Sequence, residues 1–290
     1  MSTRIALGTA QFGLPYGITN RAGQIAPADV GPILEYAHSA GVDTIDTAIA
    51  YGDSEKNLGA AGVRGWRVIS KLPAMPATCR NADAWVQQCI RGSLERLAVS
   101  QLYAVLLHKP RELLKEYGSA LHEGMLSLKR QGVVQKIGFS IYAPDDLDAL
   151  WPQFQPDLVQ APLNVFDRRI AESGWLRRLH DSGTEVHTRS AFLQGLLLME
   201  AADFPENFSR WQHLWDAWQR WLENRQLSPL EACLGFVLSY AEIDRVIVGI
   251  DSLMQLRQIL AHSMRAVGDV PGALSCIDVA LVDPSKWQHT

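Results

Sequence analysis

The sequence predicts an α/β fold, a (β/α)8 barrel of the TIM type in which residues 1–290 form a single domain. Three observations lead there. Short apolar runs alternate with longer amphipathic segments eight times over, as strand and crossover helix do around a parallel sheet. No shift of composition interrupts the series, and a chain of this length suits one large barrel. No GxGxxG follows the first apolar run, so the usual mark of the rival open, doubly wound sheet is missing.

The elements follow in order. The first strand, "RIALGT", leads to the helix "PADVGPILEYAHSAG", with Asp29 as N-cap candidate and Gly41 closing it. The second, "VDTID", is followed by "SEKNLGAAG", and the third, "RVISK", by "NADAWVQQCIRGSLERL", which Asn81 opens. "LYAVLLH" pairs with "GSALHEGMLSLKRQG", ended by Gly132; "VQKIGFS" pairs with "PDDLDALWPQ". The sixth strand, "DLVQAPL", precedes "IAESGWLRRLHDSG", ended by Gly183. After the seventh, "EVHTRS", comes the longest insertion, Leu193 to Leu227, of the kind that shapes access to a barrel mouth. The eighth, "RVIVGI", leads to "SLMQLRQILAHS", with Ser252 as its cap.

Within the insertion, Trp211, Trp215, Trp218 and Trp221 fall on one helical stripe and read as core packing, extended by Phe204 and Phe208. His38, His122, His180 and His213 read as surface or capping residues on helices. His187, in mid-strand, reads as a structural residue on the outer face.

Composition narrows the partners. The formal net charge of −4 has no long run of one sign behind it, so neither nucleic acid nor an anionic membrane is the expected partner. Cys79, Cys89, Cys233 and Cys276 show no metal-ligand spacing and no disulfide framework, which suits a reducing compartment. The first residues enter a strand without an apolar leader, and no apolar stretch is long enough to span a bilayer. A cytoplasmic protein acting on small molecules is the expectation.

Barrel enzymes work at the C-terminal ends of their strands, so the last polar residue of each strand is the one to read. The second strand ends in Asp46, the third in Lys71 and the fourth in His108, while Tyr51 sits in the loop after the second. A carboxylate ending a buried strand needs a partner, and Lys71 on the next strand supplies it. If a carbonyl is reduced here, each group has a task. Tyr51 donates the proton, provided that a nearby cation, Lys71, favours its phenolate. Asp46 keeps Lys71 charged and in place, and His108 orients and polarises the substrate oxygen.

The residues "DTAIAYGDSE", Ser70-Lys71 and "LLHKP" resemble the Asp, Tyr, Lys and His tetrad of the aldo-keto reductase superfamily in order and strand position. "LGTAQFG", "GFS", "VQAPLN", "SAFLQGLL" and "IVGIDSLMQL" extend the resemblance over most of the chain. It implies hydride transfer from a nicotinamide cofactor, NADP(H) foremost with NAD(H) as the alternative, to an aldehyde or ketone, and no metal. Cofactor contacts are implied for Thr9, Asp46, Ser140, Gln160, Arg189, Ser190, Gly249, Asp251 and Gln255. Four departures stand out. Ile141 replaces the family's Asn after Ser140, Arg189 replaces the aromatic that stacks on the nicotinamide, and the β-hairpin that precedes the first strand in many members is not expected ahead of Thr3. After the eighth strand, Gln255 stands for a basic residue and Gln258-Ile259 for a Glu-Asn pair, while Asp251 would repel a 2′-phosphate and Arg257 would offset it. Two other classes fit the same barrel: a cofactor-binding regulatory protein with little turnover, and a Schiff-base aldolase using Lys71 as nucleophile. A paired ammonium is a poor nucleophile, which counts against the latter.

Overall fold

The computed structural model describes residues 3–200, 203–262 and 267–287. Eight strands, β1 (Ile5–Gly8), β2 (Thr44–Asp46), β3 (Arg67–Leu72), β4 (Leu102–Leu107), β5 (Val134–Ser140), β6 (Leu158–Pro162), β7 (Glu185–Arg189) and β8 (Arg245–Gly249), pair in parallel in sequence order, and β8 closes on β1. All eight coincide with the runs read from sequence. The crossover helices are α1 (Pro27–Ser39), α2 (Ser54–Ala61), α3 (Ala82–Leu97), α4 (Gly118–Arg130), α5 (Asp145–Leu150), α6 (Arg169–Glu172) and α7 (Trp175–Asp181). Then follow α8 (Gln212–Arg225), α9 (Pro229–Leu238), α10 (Leu253–His262) and α11 (Val279–Val282). Among the described residues no helix is long and apolar enough to cross a membrane.

Helix boundaries follow local chemistry. Asn81 Oδ1 accepts the Ala84 N–H at 3.0 Å, and Ser252 Oγ accepts the Gln255 N–H at 3.2 Å, so both act as the caps expected. Ser263, the last residue of the helix read from sequence, lies outside the described residues. Asp29 is not a cap: it lies in the first turn of α1, where its charge suits the helix dipole, and Pro27 sets the first helical position behind Ala26. The segment "IAESGWLRRLHDSG" is two helices rather than one, parted at Gly174, whose φ of +81° ends α6 and starts α7 on a new axis.

Two separate apolar cores result from strand alternation. Inside the barrel, Ile69, Ala104, Leu106 and Leu158 form a small plug. Outside it, the alternate residues Ile45, Val68, Val105 and Val159 pack under the helices in a much larger mantle. His187 belongs to the inside, against the expectation. It pairs in register with Gln160, is fully buried, and lies with its Nε2 2.6 Å from Glu185 Oε1. Glu185 in turn accepts from Tyr103 Oη at 2.6 Å and from Lys136 Nζ. These partners outweigh its burial and hold the Glu185 carboxyl well below the usual carboxylate range.

The insertion after β7 builds the tryptophan stripe into the mantle, as read. Trp215 and Trp218 are fully buried, with Phe204 stacked on Trp215 at 4.3 Å and Trp221 on Trp218 at 5.5 Å between centroids. The segment after α10 returns to the barrel, where Arg168 donates to the carbonyl of Pro271 at 2.9 Å and Cys276 N–H to that of Phe166 at 2.8 Å. Truncating Trp218 to Ala should leave a cavity worth about 3–5 kcal/mol of stability. Urea denaturation followed by circular dichroism would measure the loss, and a value near zero would place this helix outside the cooperative core.

Candidate active site

The site starts from one desolvated pair. Lys71 and Asp46 are 0% and 3% exposed, and Lys71 Nζ lies 2.6 Å from Asp46 Oδ2. A charge this deep is tolerated only if its remaining hydrogen-bonding capacity is met. Lys71 also donates to the Thr47 carbonyl at 2.9 Å, and the second oxygen of Asp46 accepts from Gln160 Nε2 at 2.7 Å across the barrel. Ser140 Oγ lies 3.3 Å from Gln160 Oε1 and completes a chain through β3, β2, β6 and β5. Burial pulls the Lys71 ammonium below its ordinary range, against the opposing pull of Asp46.

Tyr51 reaches this pair from the loop after β2. Its ring centroid is 5.1 Å from Lys71 Nζ and 6.0 Å from the ring of His108, at 75° to it. The loop is held by close backbone packing. A Cβ on Gly13 would meet the Tyr51 carbonyl at 1.9 Å and the Ser54 nitrogen at 2.4 Å, and one on Gly52, whose φ is +53°, would meet the Gly13 carbonyl at 2.4 Å. Only glycine at both positions lets the loops after β1 and β2 touch this closely. Thr9, expected at the cofactor, has its hydroxyl on the Asp46 carbonyl at 2.9 Å and near Ser54 Oγ at 3.0 Å. It is fully buried and braces the same junction from behind.

The tyrosine is a weaker acid than the sequence suggested. Burial, the Asp46 charge and the neighbouring Tyr142 push the Tyr51 hydroxyl above its ordinary range, and Arg189 only partly opposes them. The expected cation, Lys71, is held by Asp46, so the phenol meets a pair rather than a free charge. His108 moves the other way. Burial and the cations Lys71, Arg189 and Lys109 push its imidazole down to about 3, leaving it neutral at physiological pH.

Arg189, at the end of β7, lies with its guanidinium 4.6 Å from the centroid of Tyr142 and donates to the Ile141 carbonyl at 2.9 Å. From the other loop, Lys109 Nζ lies 4.8 Å from the same centroid. Neither Lys109 nor Tyr142 was found from sequence, because each follows the last polar residue of its strand by one or two positions. Adjacent to Arg189, Ser190 has a φ of +63°, and its carbonyl accepts from Asn164 Nδ2 at 3.0 Å. Leu193 and Gln194 are left-handed as well, so non-glycine strain is concentrated in the loop after β7.

Gly249, Asp251 and Gln255 stand at the end of β8, with Gly249 two strands from Asp46 in register through Gly8. Gly249 is exposed and lies against the Gln11 amide, whose Oε1 is buried without a partner among the described residues. Gln255 Oε1 accepts the Asp251 N–H at 2.7 Å. Arg257 does not turn back to Asp251: its guanidinium lies 5.1 Å from the Tyr36 ring centroid on α1.

A closed eight-stranded barrel thus carries a buried Lys–Asp pair under a tyrosine and a histidine at its mouth. The chain belongs to the aldo/keto reductase family, whose sequence model matches residues 4–266. It is 28% identical over 184 residues to the Bacillus subtilis aldo-keto reductase YhdN, and 32% identical over 114 residues to an aldo-keto reductase of Mycolicibacterium paratuberculosis. These matches take in 59% and 38% of this chain and 53% and 38% of the relatives, so the chain spans about half the length of the first and less of the second. Among solved structures it resembles the holo form of a Bacillus halodurans aldo-keto reductase, with a TM-score of 0.73 at 17% identity over 91% of this chain and 88% of that one. A Pseudomonas aeruginosa protein assigned to the same group gives a TM-score of 0.66 at 22% identity over 90% of each chain. At such identities the structural likeness speaks for the fold alone.

An imidazole held neutral while the unfolded chain takes up a proton means that stability falls as pH drops from about 6.5 toward 3. A proton NMR titration of His108 should show no inflection between about pH 5 and 8. An inflection near the ordinary histidine value would show that neither its burial nor the cations around it hold the ring neutral.

Proposed function

We propose that the chain is a nicotinamide-dependent reductase that converts an aldehyde or ketone to the alcohol, acting as one barrel domain in the cytoplasm, with Tyr51 as general acid. The observation that carries this reading is the buried Lys71–Asp46 pair directly beneath Tyr51 and beside a neutral His108. A structural ion pair alone would need neither ring above it.

The residues present suit a dinucleotide. Ser140 and Gln160 together offer the donors and acceptors that pair with a carboxamide, Arg189 offers a planar face for an aromatic ring, and the orphaned Gln11 Oε1 offers an acceptor for a ribose hydroxyl. A reduced nicotinamide, when bound, supplies the hydride. Charge then grows on the substrate oxygen, which His108 holds through an imidazole N–H while the Tyr51 O–H donates its proton to it. The weakened acidity of Tyr51 is no obstacle, because an alkoxide is a far stronger base than any phenolate. Lys71 lies close enough to steady the phenolate that remains, and Asp46 keeps that ammonium from becoming a proton source itself.

On the family resemblance the dinucleotide is NADP(H). One observation favours a second reading, NAD(H): Asp251, half-buried at the start of α10, has no ion pair among the described residues, and Arg257 is engaged on α1. An acid there opposes a 2′-phosphate.

Replacing Tyr51 with Phe should lower kcat by about a hundredfold or more while the dissociation constant of the reduced cofactor changes little. Wild-type turnover in this variant would remove Tyr51 from the role. Tryptophan-fluorescence titrations would decide the dinucleotide, tighter NADPH upholding the first reading and tighter NADH the second. In either case Asp251→Asn should shift the balance toward NADPH by about fivefold, and no shift would show that Asp251 faces away from the adenosine end.

A further inference from the structure

We infer that the carbonyl substrate carries an anionic group, a carboxylate or a phosphate, which Lys109 receives at the mouth beside the Tyr142 ring. This rests on the reductase reading and adds the substrate's chemical class to it.

The charges around the mouth are unevenly matched. Asp46 is taken by Lys71, Asp146 by Arg111 at 2.5 Å, Asp167 by Arg169 at 2.8 Å, and Glu112 by Lys115 at 3.3 Å. The exposed Asp145 acts on Arg111 and Arg169. Lys109 and Arg189 have no such partner among the described residues. They flank one aromatic ring, with their charged groups 4.8 and 4.6 Å from the Tyr142 centroid, and the N–H groups of Arg189 meet only a carbonyl and the Ser190 hydroxyl. A π face attracts cations but does not neutralise them. Two uncompensated cations therefore stand next to Tyr51 and His108 on a chain whose formal net charge is −4, so this is a local feature and not a general positive surface. The depressed imidazole of His108, which responds to both cations, agrees.

Topology separates this charge from the cofactor. Lys109 follows β4, and in a closed eight-stranded barrel β4 lies opposite β8, where Gly249, Asp251 and Gln255 would receive the adenosine end. Arg189, on β7, stands between the two and has the planar face already assigned to the nicotinamide. Lys109 is left with an exposed ammonium at the substrate side of the mouth. An anion arriving there gains a charge-assisted hydrogen bond and is drawn in by the field of both cations.

The test compares matched carbonyls, succinic semialdehyde against butanal and glyceraldehyde 3-phosphate against glyceraldehyde, with wild type and Lys109→Gln. The expected result is a kcat/KM for at least one anionic member about tenfold or more above that of its neutral match, shrinking as salt rises, with that ratio cut about tenfold by Lys109→Gln. Whichever anion is favoured identifies the group. Equal values for neutral and anionic members overturn the inference and leave the reductase reading standing. So does a Lys109→Gln variant whose defect is weaker cofactor binding, which would assign Lys109 to the dinucleotide. If no carbonyl is reduced, the reductase reading falls, and calorimetric binding of succinate and inorganic phosphate decides the charge inference. Binding weakened by Lys109→Gln upholds it, and no binding to the wild type overturns it.

Discussion

The desolvation of Lys71 is the constraint on which the rest of the site depends. An ammonium with no access to water must have a carboxylate, and Asp46 sits at the end of the neighbouring strand in the one register that brings the two within hydrogen-bonding distance. Asp46 then has a second oxygen to satisfy, which draws Gln160 from the far side of the barrel, and Gln160 is in turn met by Ser140. Four strands are thus tied to one another through a single buried charge. A slip of one residue in any of them would turn its member of the chain toward the helices and leave an unpaired charge or amide behind.

Above this pair the rings of Tyr51 and His108 are tuned in opposite directions by one environment. Burial raises the phenol of Tyr51 and lowers the imidazole of His108, so both stay neutral and both keep a proton to offer. Arg189 acts on both, lowering the tyrosine and the histidine alike. An arginine is suited to this position because its charge does not titrate away and its flat face can lie along Tyr142.

Much of this was legible from residues alone. Barrel strands are buried on both faces and read as continuous apolar runs, so "VQKIGFS" matches β5 residue for residue. The strand-end residues Asp46 and Lys71 were legible for the same reason, since a charge terminating such a run has few places to go. What failed was whatever depends on facing and depth. His187 shares its parity with Arg189 and so faces inward, yet a lone histidine in an apolar strand looks like any outer-face residue. The acidity of Tyr51 was misjudged because the Lys71–Asp46 pair was legible from sequence but the depth at which the phenol is buried beside the Asp46 charge was not. Lys109 and Tyr142 escaped because their significance lies in sharing a ring across two loops, and nothing in either loop announces the other. The segment after α10 has too little periodicity to reveal that it folds back onto the loops after β6 and β7.

The contact between Gly13 and the backbone of Tyr51 and Gly52 bears on how such a barrel can diversify. Loops at a barrel mouth are usually free to be exchanged, since each is anchored only by its own strand and helix. Here the loop after β1 is seated main chain on main chain against the loop bearing Tyr51, so any insertion or bulkier residue at Gly13 relocates the proposed acid along with the pocket wall. New specificities are therefore more accessible through the loop after β4 than through the loop after β7, which itself packs on the first loop where Gln194 and Gly195 meet Thr19, and recombining the first loop from a distant relative would succeed only if the second were carried over with it.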